Sequence, residues 1–185
     1  LKVEPYKNTY TTYYKILAIR QLETDSDRIL YLDGDTIING SLQPLLDIDL
    51  GETVMGAAYE CILNDYKEII GMRPNDTYYN CGVMLINRRV WIEQDCDTQI
   101  LEHFLNVRSR YFIVDQDVIN VLFHNNVTLI DPSYNFNAGF YIYGVHPSYR
   151  IYNLTENFYF PESIIEHTLN NGPIINHCMG GFTGR

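Results

Sequence analysis

Apolar positions fall along the chain in two kinds of segment, short continuous runs and longer spaced ones. From Tyr10 to Leu22, residues Tyr13, Ile16, Leu17, Ala18 and Leu22 share one helical face, and Thr24-Asp25-Ser26-Asp27 then breaks the pattern, so helix and turn are expected. The run Ile29-Leu30-Tyr31-Leu32 predicts a strand covered on both faces, as in a parallel sheet. Ser41 to Leu46 reads as a turn into a short helical piece, Thr53 to Ala58 as a buried strand, and Asp65 to Ile70 as a short helix closed by Gly71. Tyr78 to Asn87, a polar start followed by an apolar core run, is the second strong strand signal. Helical spacing places Ile100, Leu101, Phe104 and Leu105 on one face of Asp97 to Val107, and Val118, Ile119, Leu122 and Phe123 on one face of Asp115 to Phe123. Val127 to Ile130 is a short strand. Residues 132–160 lack clean periodicity and read as a long loop. Pro161 to Leu169 is a helix with Pro in its first turn, and Pro173 to Asn176 is a last strand that delivers His177 into a Gly-rich turn.

Strands and helices in this order predict one α/β domain over residues 1–185, with no linker, repeat or low-complexity segment. In an open α/β sheet, ligands bind outside the carboxyl ends of the strands, which draws attention to the residues that follow Leu32. The chain holds five D-x-D pairs, and only Asp33/Asp35 follows a continuous strand-like run. Carboxylates at i and i+2 of a strand end can converge on one point, and Gly34 between them admits a close approach. Such oxygen donors suit Mg²⁺ or Mn²⁺, and His177 as a third ligand tilts the choice to Mn²⁺. A solvated β-turn explains an isolated D-x-D as well, and an ordinary loop or core role explains His177 alone. A calcium loop is excluded, because its later ligand and glycine positions are occupied by Ile37, Ile38 and Pro44. Asp115-Gln116-Asp117 opens a helix, where one acid serves as a cap, and Asn80 and Asn87 bracket a strand.

Composition narrows the choice of partner. A net charge of −10 with scattered Lys and Arg excludes a nucleic-acid surface, so an anionic ligand would need a metal cation as counter-charge. Sixteen Tyr against one Trp suit a sugar or other polar-ligand pocket, and equally a mixed sheet. Cys61, Cys81, Cys96 and Cys178 form no C-x-x-C pair and are expected to be reduced thiols, which favours a cytoplasmic location over secretion despite sequons at Asn39, Asn75, Asn126 and Asn153. No run of about 18 apolar residues is present.

Four motifs then assemble in order: Arg28-Ile-Leu-Tyr-Leu-Asp33-Gly-Asp35 with Leu42 and Leu45; Tyr79-Asn80-Cys-Gly82-Val-Met-Leu-Ile-Asn87 with Trp91; Asp115-Gln116-Asp117-Val-Ile-Asn120; and Ile174-Ile175-Asn-His177-x-x-Gly180. Together they resemble the family-8 glycosyltransferases, retaining enzymes of the GT-A fold. The bacterial lipopolysaccharide galactosyl- and glucosyltransferase branch is a better match than glycogenin. The resemblance implies a Rossmann-like mixed sheet flanked by helices, as in nucleotide-diphospho-sugar transferases. It implies Mn²⁺, with Mg²⁺ as the alternative, held by Asp33, Asp35 and His177 and bridging the phosphates of a UDP-sugar. Asn80 and the Cys81 backbone would touch the donor sugar, Asp115 would hold its hydroxyls, and Gln116 would lie beside the anomeric carbon. Glu60, Lys15, Gly34 and Gly180 fall at positions near the donor.

The implied function is transfer of glucose or galactose to a glycan or lipid-linked glycan acceptor, in the cytoplasm or at the inner face of its membrane. Two departures from the family pattern accompany it. The closing motif has Thr183 where members carry Lys, with Arg185 two residues on as a substitute of different reach and geometry. The β-α-β units that bind uridine in members are also expected to be missing before Leu1. The alternative expectation is accordingly a truncated, non-catalytic sugar- and metal-binding module, and membrane association would reside in residues outside this chain.

Overall fold

A computed structural model of the chain describes residues 10–106 and 111–179; Gly180, Thr183 and Arg185 lie outside the described residues. Helix α1 (Thr11–Gln21) buries Tyr13, Ile16 and Ile19. Ala18 and Leu22, expected on that face, are exposed, because the three-residue spacing is the one that meets the helices packed beneath, where the Tyr13 ring stands edge-on to Phe104 at 5.2 Å. Strand β1 (Arg28–Leu32) leads through the Asp33-Gly34-Asp35 turn into strand β2 (Thr36–Ile38). Then follow α2 (Gln43–Leu46), β3 (Met55–Ala57), and α3 (Asn64–Ile70), which ends on Gly71 at φ +92°, a left-handed conformation glycine adopts without strain. Strand β4 (Val83–Asn87) ends on Asn87, whose side chain accepts from Val90 N–H and so starts α4 (Arg88–Glu93). Helices α5 (Cys96–Asn106) and α6 (Val114–Phe123) and strand β5 (Val127–Leu129) complete this half.

The main sheet runs β1-β4-β3-β5, with β4 antiparallel to both β1 and β3, and β3 parallel to β5. The expectation of a doubly covered parallel strand at 29–32 is therefore corrected. Strand β1 is antiparallel, has one described neighbour, and is only half-buried; the strand buried on both faces is β4. Its alternation sends Val83 and Leu85 into one core cluster and Met84 and Ile86 into another. The second cluster joins β4 to α1, α4, α5 and α6 around Trp91, Val118 and Ile119, all fully buried.

Residues 132–160 are also not the structureless loop their pattern suggested. A 3₁₀ turn (Pro132–Tyr134) is followed by β6 (Phe136–Asn137), α7 (Gly139–Tyr143) and α8 (Val145–Ile151), then α9 (Glu162–Asn171) and β7 (Ile175–His177). Helices of five and seven residues are too short to write a readable period, and their order comes instead from aromatic packing. Phe136, Phe140, Tyr149, Tyr159 and Phe160 share the cluster on the Val83/Leu85 face, with Tyr149 and Tyr159 edge-on at 5.8 Å. Strand β7 pairs antiparallel with β2 and parallel with β6, making a second, three-stranded sheet. His177 is thus the last residue of a strand rather than part of the following turn. All four cysteines are free.

One buried acid ties α6 to the rest. Asp117 is fully buried and accepts from Tyr66 O–H at 2.6 Å, Tyr78 O–H at 2.5 Å and Ile113 N–H at 2.8 Å; the cap expected of one acid in this motif is not formed, since Ile113 is the N-cap of α6 and no side chain caps it. Asp117→Ala strands the buried Tyr78 hydroxyl and frees the partly buried Tyr66 hydroxyl, and is expected to lower unfolding free energy by about 3 kcal/mol. Urea denaturation should show this as a lower midpoint at unchanged slope, while Asp47→Ala, at an exposed acid, stays within about 0.5 kcal/mol of the parent.

Candidate metal centre and adjoining pocket

Two antiparallel ladders meet at Asp33-Gly34-Asp35. The β1/β4 pairing continues one step further, with Asp33 N–H donating to Gly82 C=O at 2.7 Å. The β2/β7 pairing sets Thr36 opposite His177, and Cys178 N–H donates to Asp35 C=O at 2.9 Å. The two acids thereby come together with a histidine some 140 residues away, and ligand atoms of Asp33, Asp35 and His177 all lie within 4.8 Å of one another. His177 Nε2 stands 3.2 Å from Asp35 Oδ1 and 3.7 Å from Asp33 Oδ2. The carboxylates remain open, with 34% and 41% of their side-chain surface exposed, against 4% for the imidazole. Burial pushes the His177 ring below its ordinary pKa, and Asp35 and Asp33 pull against that shift without overcoming it, so the ring is neutral and fit to ligate.

The acids are held from behind. Tyr31 O–H donates to Asp33 Oδ1 at 2.5 Å. Lys15 Nζ forms an ion pair with Asp115, donates to Cys81 C=O at 3.2 Å, lies 3.9 Å from Asp33 and sits 4.7 Å over the Tyr31 ring. Burial lowers the Lys15 pKa, but Asp115 and Asp33 more than reverse this and keep the ammonium charged. Asp115 is shifted upward by its own burial, with Lys15 restraining the rise. This buried pair compensates itself, whereas nothing of opposite charge faces the open side of Asp33 and Asp35 among the described residues.

Beside the triad opens a cavity of about 600 Å³ lined by Asp33, Asp35, His177, Glu60, Asn80 and Gln116, and also by Asn137, Tyr143 and Tyr152. Asn80 Nδ2 donates to Glu60 Oε2 at 2.5 Å, and burial raises the Glu60 carboxyl above the usual range. Gln116 Oε1 accepts from Cys81 N–H at 2.8 Å. Six sequence-selected residues thus surround one cavity, while Lys15, Cys81 and Asp115 lie in the layer beneath it. Gly34 sits at the exposed turn with open space where a Cβ would be. The glycine that the arrangement requires is Gly82, where a Cβ would overlap the His177 ring, within 2.7 Å of Nε2 and 2.8 Å of Nδ1. Sequence reasoning missed Tyr31, Gly82 and Asn135 as parts of the site. Gly82 and Tyr31 lay inside motifs already singled out; Asn135, whose Oδ1 lies 2.9 Å from His177 Nδ1, lay in the segment read as loop and carried no signal.

The family model for glycosyl transferase family 8 matches residues 2–165. The chain belongs to this family. It is 28% identical over 172 residues to the glycosyltransferase GlyF of Streptococcus pneumoniae, covering 93% of this chain and 39% of that protein. It is 28% identical over 134 residues to the lipopolysaccharide 1,3-galactosyltransferase of Salmonella typhimurium, covering 69% of this chain and 40% of that one. The galactosyltransferase LgtC, solved in complex with donor and acceptor sugar analogs, superposes with a TM-score of 0.65 at 29% identity, over 92% of this chain and 59% of LgtC. The mixed, helix-flanked sheet expected from the resemblance is therefore a GT-A architecture, and the chain spans about two-fifths of the length of these two curated relatives.

In this family-8 chain the triad is a candidate Asp-Asp-His metal site whose donors, two oxygens and a neutral imidazole, suit a divalent first-row ion. Gly82→Ala should displace the imidazole and weaken Mn²⁺ binding by about tenfold or more, as disturbing the support of a ligand does elsewhere. Titration of free Mn²⁺ by electron paramagnetic resonance checks this, with far-UV circular dichroism unchanged.

Proposed function

We propose that residues 1–185 are a single GT-A unit of a Mn²⁺-dependent retaining hexosyltransferase. It moves glucose or galactose from a UDP-sugar to a hydroxyl of a glycan or lipid-linked glycan acceptor, in the synthesis of lipopolysaccharide or another cell-surface polysaccharide. The observation that carries this reading is the convergence of Asp33, Asp35 and His177 at one end of a cavity whose remaining wall is rich in hydrogen-bonding groups. Its support from relatives is the likeness to a lipopolysaccharide galactosyltransferase and to LgtC.

The roles follow from charge and position. Asp33 and Asp35 supply uncompensated negative charge, and His177 a neutral nitrogen, so the three hold the cation that an acidic chain needs in order to accept a diphosphate. A divalent cation there stabilises the negative charge on the departing UDP. Glu60 and Asn80 offer acceptor and donor groups to sugar hydroxyls, and Gln116, held by the Cys81 N–H, lies next to them at the reacting end of the sugar. Asp115 takes part through sugar hydroxyls, paired with Lys15 from behind, and Cys81 contributes its backbone. Tyr143 and Tyr152, which also line the cavity, offer aromatic rings of the kind that suit a sugar acceptor. Among the described residues no helix is long and apolar enough to cross a membrane. We place the reaction in the cytoplasm at the inner membrane face, where a lipid-linked acceptor and a UDP-sugar meet by peripheral association.

Calorimetry of the chain with UDP is expected to show micromolar binding in Mn²⁺ and none in chelator. Asp33→Ala and Asp35→Ala should each reduce hydrolysis of UDP-glucose or UDP-galactose by at least about 100-fold. Unchanged turnover in both variants refutes the assignment. Retained UDP binding without any turnover supports instead a non-catalytic sugar- and metal-binding module.

A further inference from the structure

Behind the metal triad runs a line of hydrogen bonds whose direction is fixed at its far end. Gly82 N–H, which only donates, meets Asn80 Oδ1 at 2.8 Å. On the other side Glu60, whose Oε1 already accepts from Cys61 N–H at 2.8 Å, receives Asn80 Nδ2 on Oε2 at 2.5 Å. Both contacts demand the same orientation of the Asn80 amide, oxygen to Gly82 and nitrogen to Glu60. The same Asn80 Oδ1 faces Asn135 at 2.8 Å, so Asn135 turns its Nδ2 that way and leaves Oδ1 for His177 Nδ1 at 2.9 Å. An amide oxygen accepts only, so Nδ1 carries the ring hydrogen and, in the neutral ring, Nε2 keeps its lone pair. Asn80, Asn135 and His177 are all buried, at 4%, 8% and 3% exposure.

The opposite tautomer has a ready partner. With hydrogen on Nε2, His177 would donate to Asp35 Oδ1 at 3.2 Å and consume both a nitrogen and a carboxylate oxygen that a metal would use. We propose that Asn135 is a positioning residue that holds His177 in the Nδ1–H tautomer, with its own orientation set through Asn80 by Glu60 and the Gly82 N–H, so that Nε2 is presented as a metal ligand. The ligand role rests on the metal reading under Proposed function; the tautomer does not. Glu60 therefore acts twice, once at the cavity wall and once through this line on a ring it does not touch. Gly82 does the same, leaving space for the ring and orienting the amide that governs it.

The test is proton-coupled nitrogen NMR of the whole chain with ¹⁵N-labelled histidine, assigned to His177 by the His177→Gln difference. The metal-free parent should show the Nδ1–H tautomer. Asn135→Leu, which keeps the volume and removes the acceptor, should move the ring to Nε2–H and weaken Mn²⁺ binding by about 10- to 100-fold in paramagnetic-resonance titration. Asn135→Asp, which restores an acceptor, should retain Nδ1–H. An Nε2–H ring in the parent overturns the proposal, as does an unchanged tautomer in Asn135→Leu, and the parent spectrum decides even if that variant does not fold. A parent chain with the Nδ1–H ring that binds no Mn²⁺ counts against the metal reading and leaves the orienting role standing.

Discussion

The whole site depends on backbone pairing at one point, where the chain leaves one antiparallel ladder and joins another within three residues. Asp33 is the last residue tied to the β1/β4 pair, through Gly82 C=O, and Asp35 is the first tied to the β2/β7 pair, through Cys178 N–H. Because side chains alternate across a strand, the register of each ladder decides what faces the acids, and a slip of one residue in β7 would turn His177 to the opposite face. The register of β4 is anchored by its burial, with Val83 and Leu85 committed to one core cluster and Met84 and Ile86 to the other. Packing far from the site thus fixes distances inside it.

Electrostatics divides the acids into two groups. Asp115 and Asp117 are buried and answered by the protein itself, the first by Lys15 and the second by two tyrosine hydroxyls and a backbone N–H. Removing charges from water is costly unless they are paired, so these acids are part of the folded framework. Asp33 and Asp35 are half open, and among the described residues, beyond the distant Lys15 contact and the Tyr31 hydroxyl, they face a neutral imidazole. In a chain with a net charge of −10, two carboxylates held together without a close cationic partner among the described residues offer a place for a cation. The same contrast explains why identical D-x-D spacings carry different chemistry.

Much of the fold was legible wherever a segment was long enough to state its period. Helices α5 and α6 and the strand before His177 lie where their apolar spacing put them, within a residue or two at the described ends, with Val107 outside the described residues; β4 keeps the apolar half of the expected Tyr78–Asn87 run and begins at Val83. The α6 and β4 segments also carried Gln116, Asp115, Asn80 and Asn87 in fixed relation to a core face. The exceptions share a cause. Strand β1 has the apolar run of a doubly covered strand but only one described neighbour, and α7 and α8 take their order from aromatic contacts rather than from repetition. Burial and short-helix order are properties of neighbours, which a linear pattern does not encode.

By itself, the sequence determined which residues carry chemistry: two acids after a strand, a histidine at another strand's end, and the Asn-Cys-Gly and Asp-Gln-Asp motifs between them, in an order that identifies the family. It could do so because those choices are local, a matter of side-chain type and spacing along one element. Only the tertiary structure decided that Gly82, not Gly34, is the glycine on which the ring of His177 rests, that Lys15 answers Asp115, and that Asn135 faces His177 Nδ1. Those facts arise from contacts between residues 42 to 100 positions apart, created when strands pair in register within each sheet and α1 packs against α6, and the linear pattern holds no trace of them.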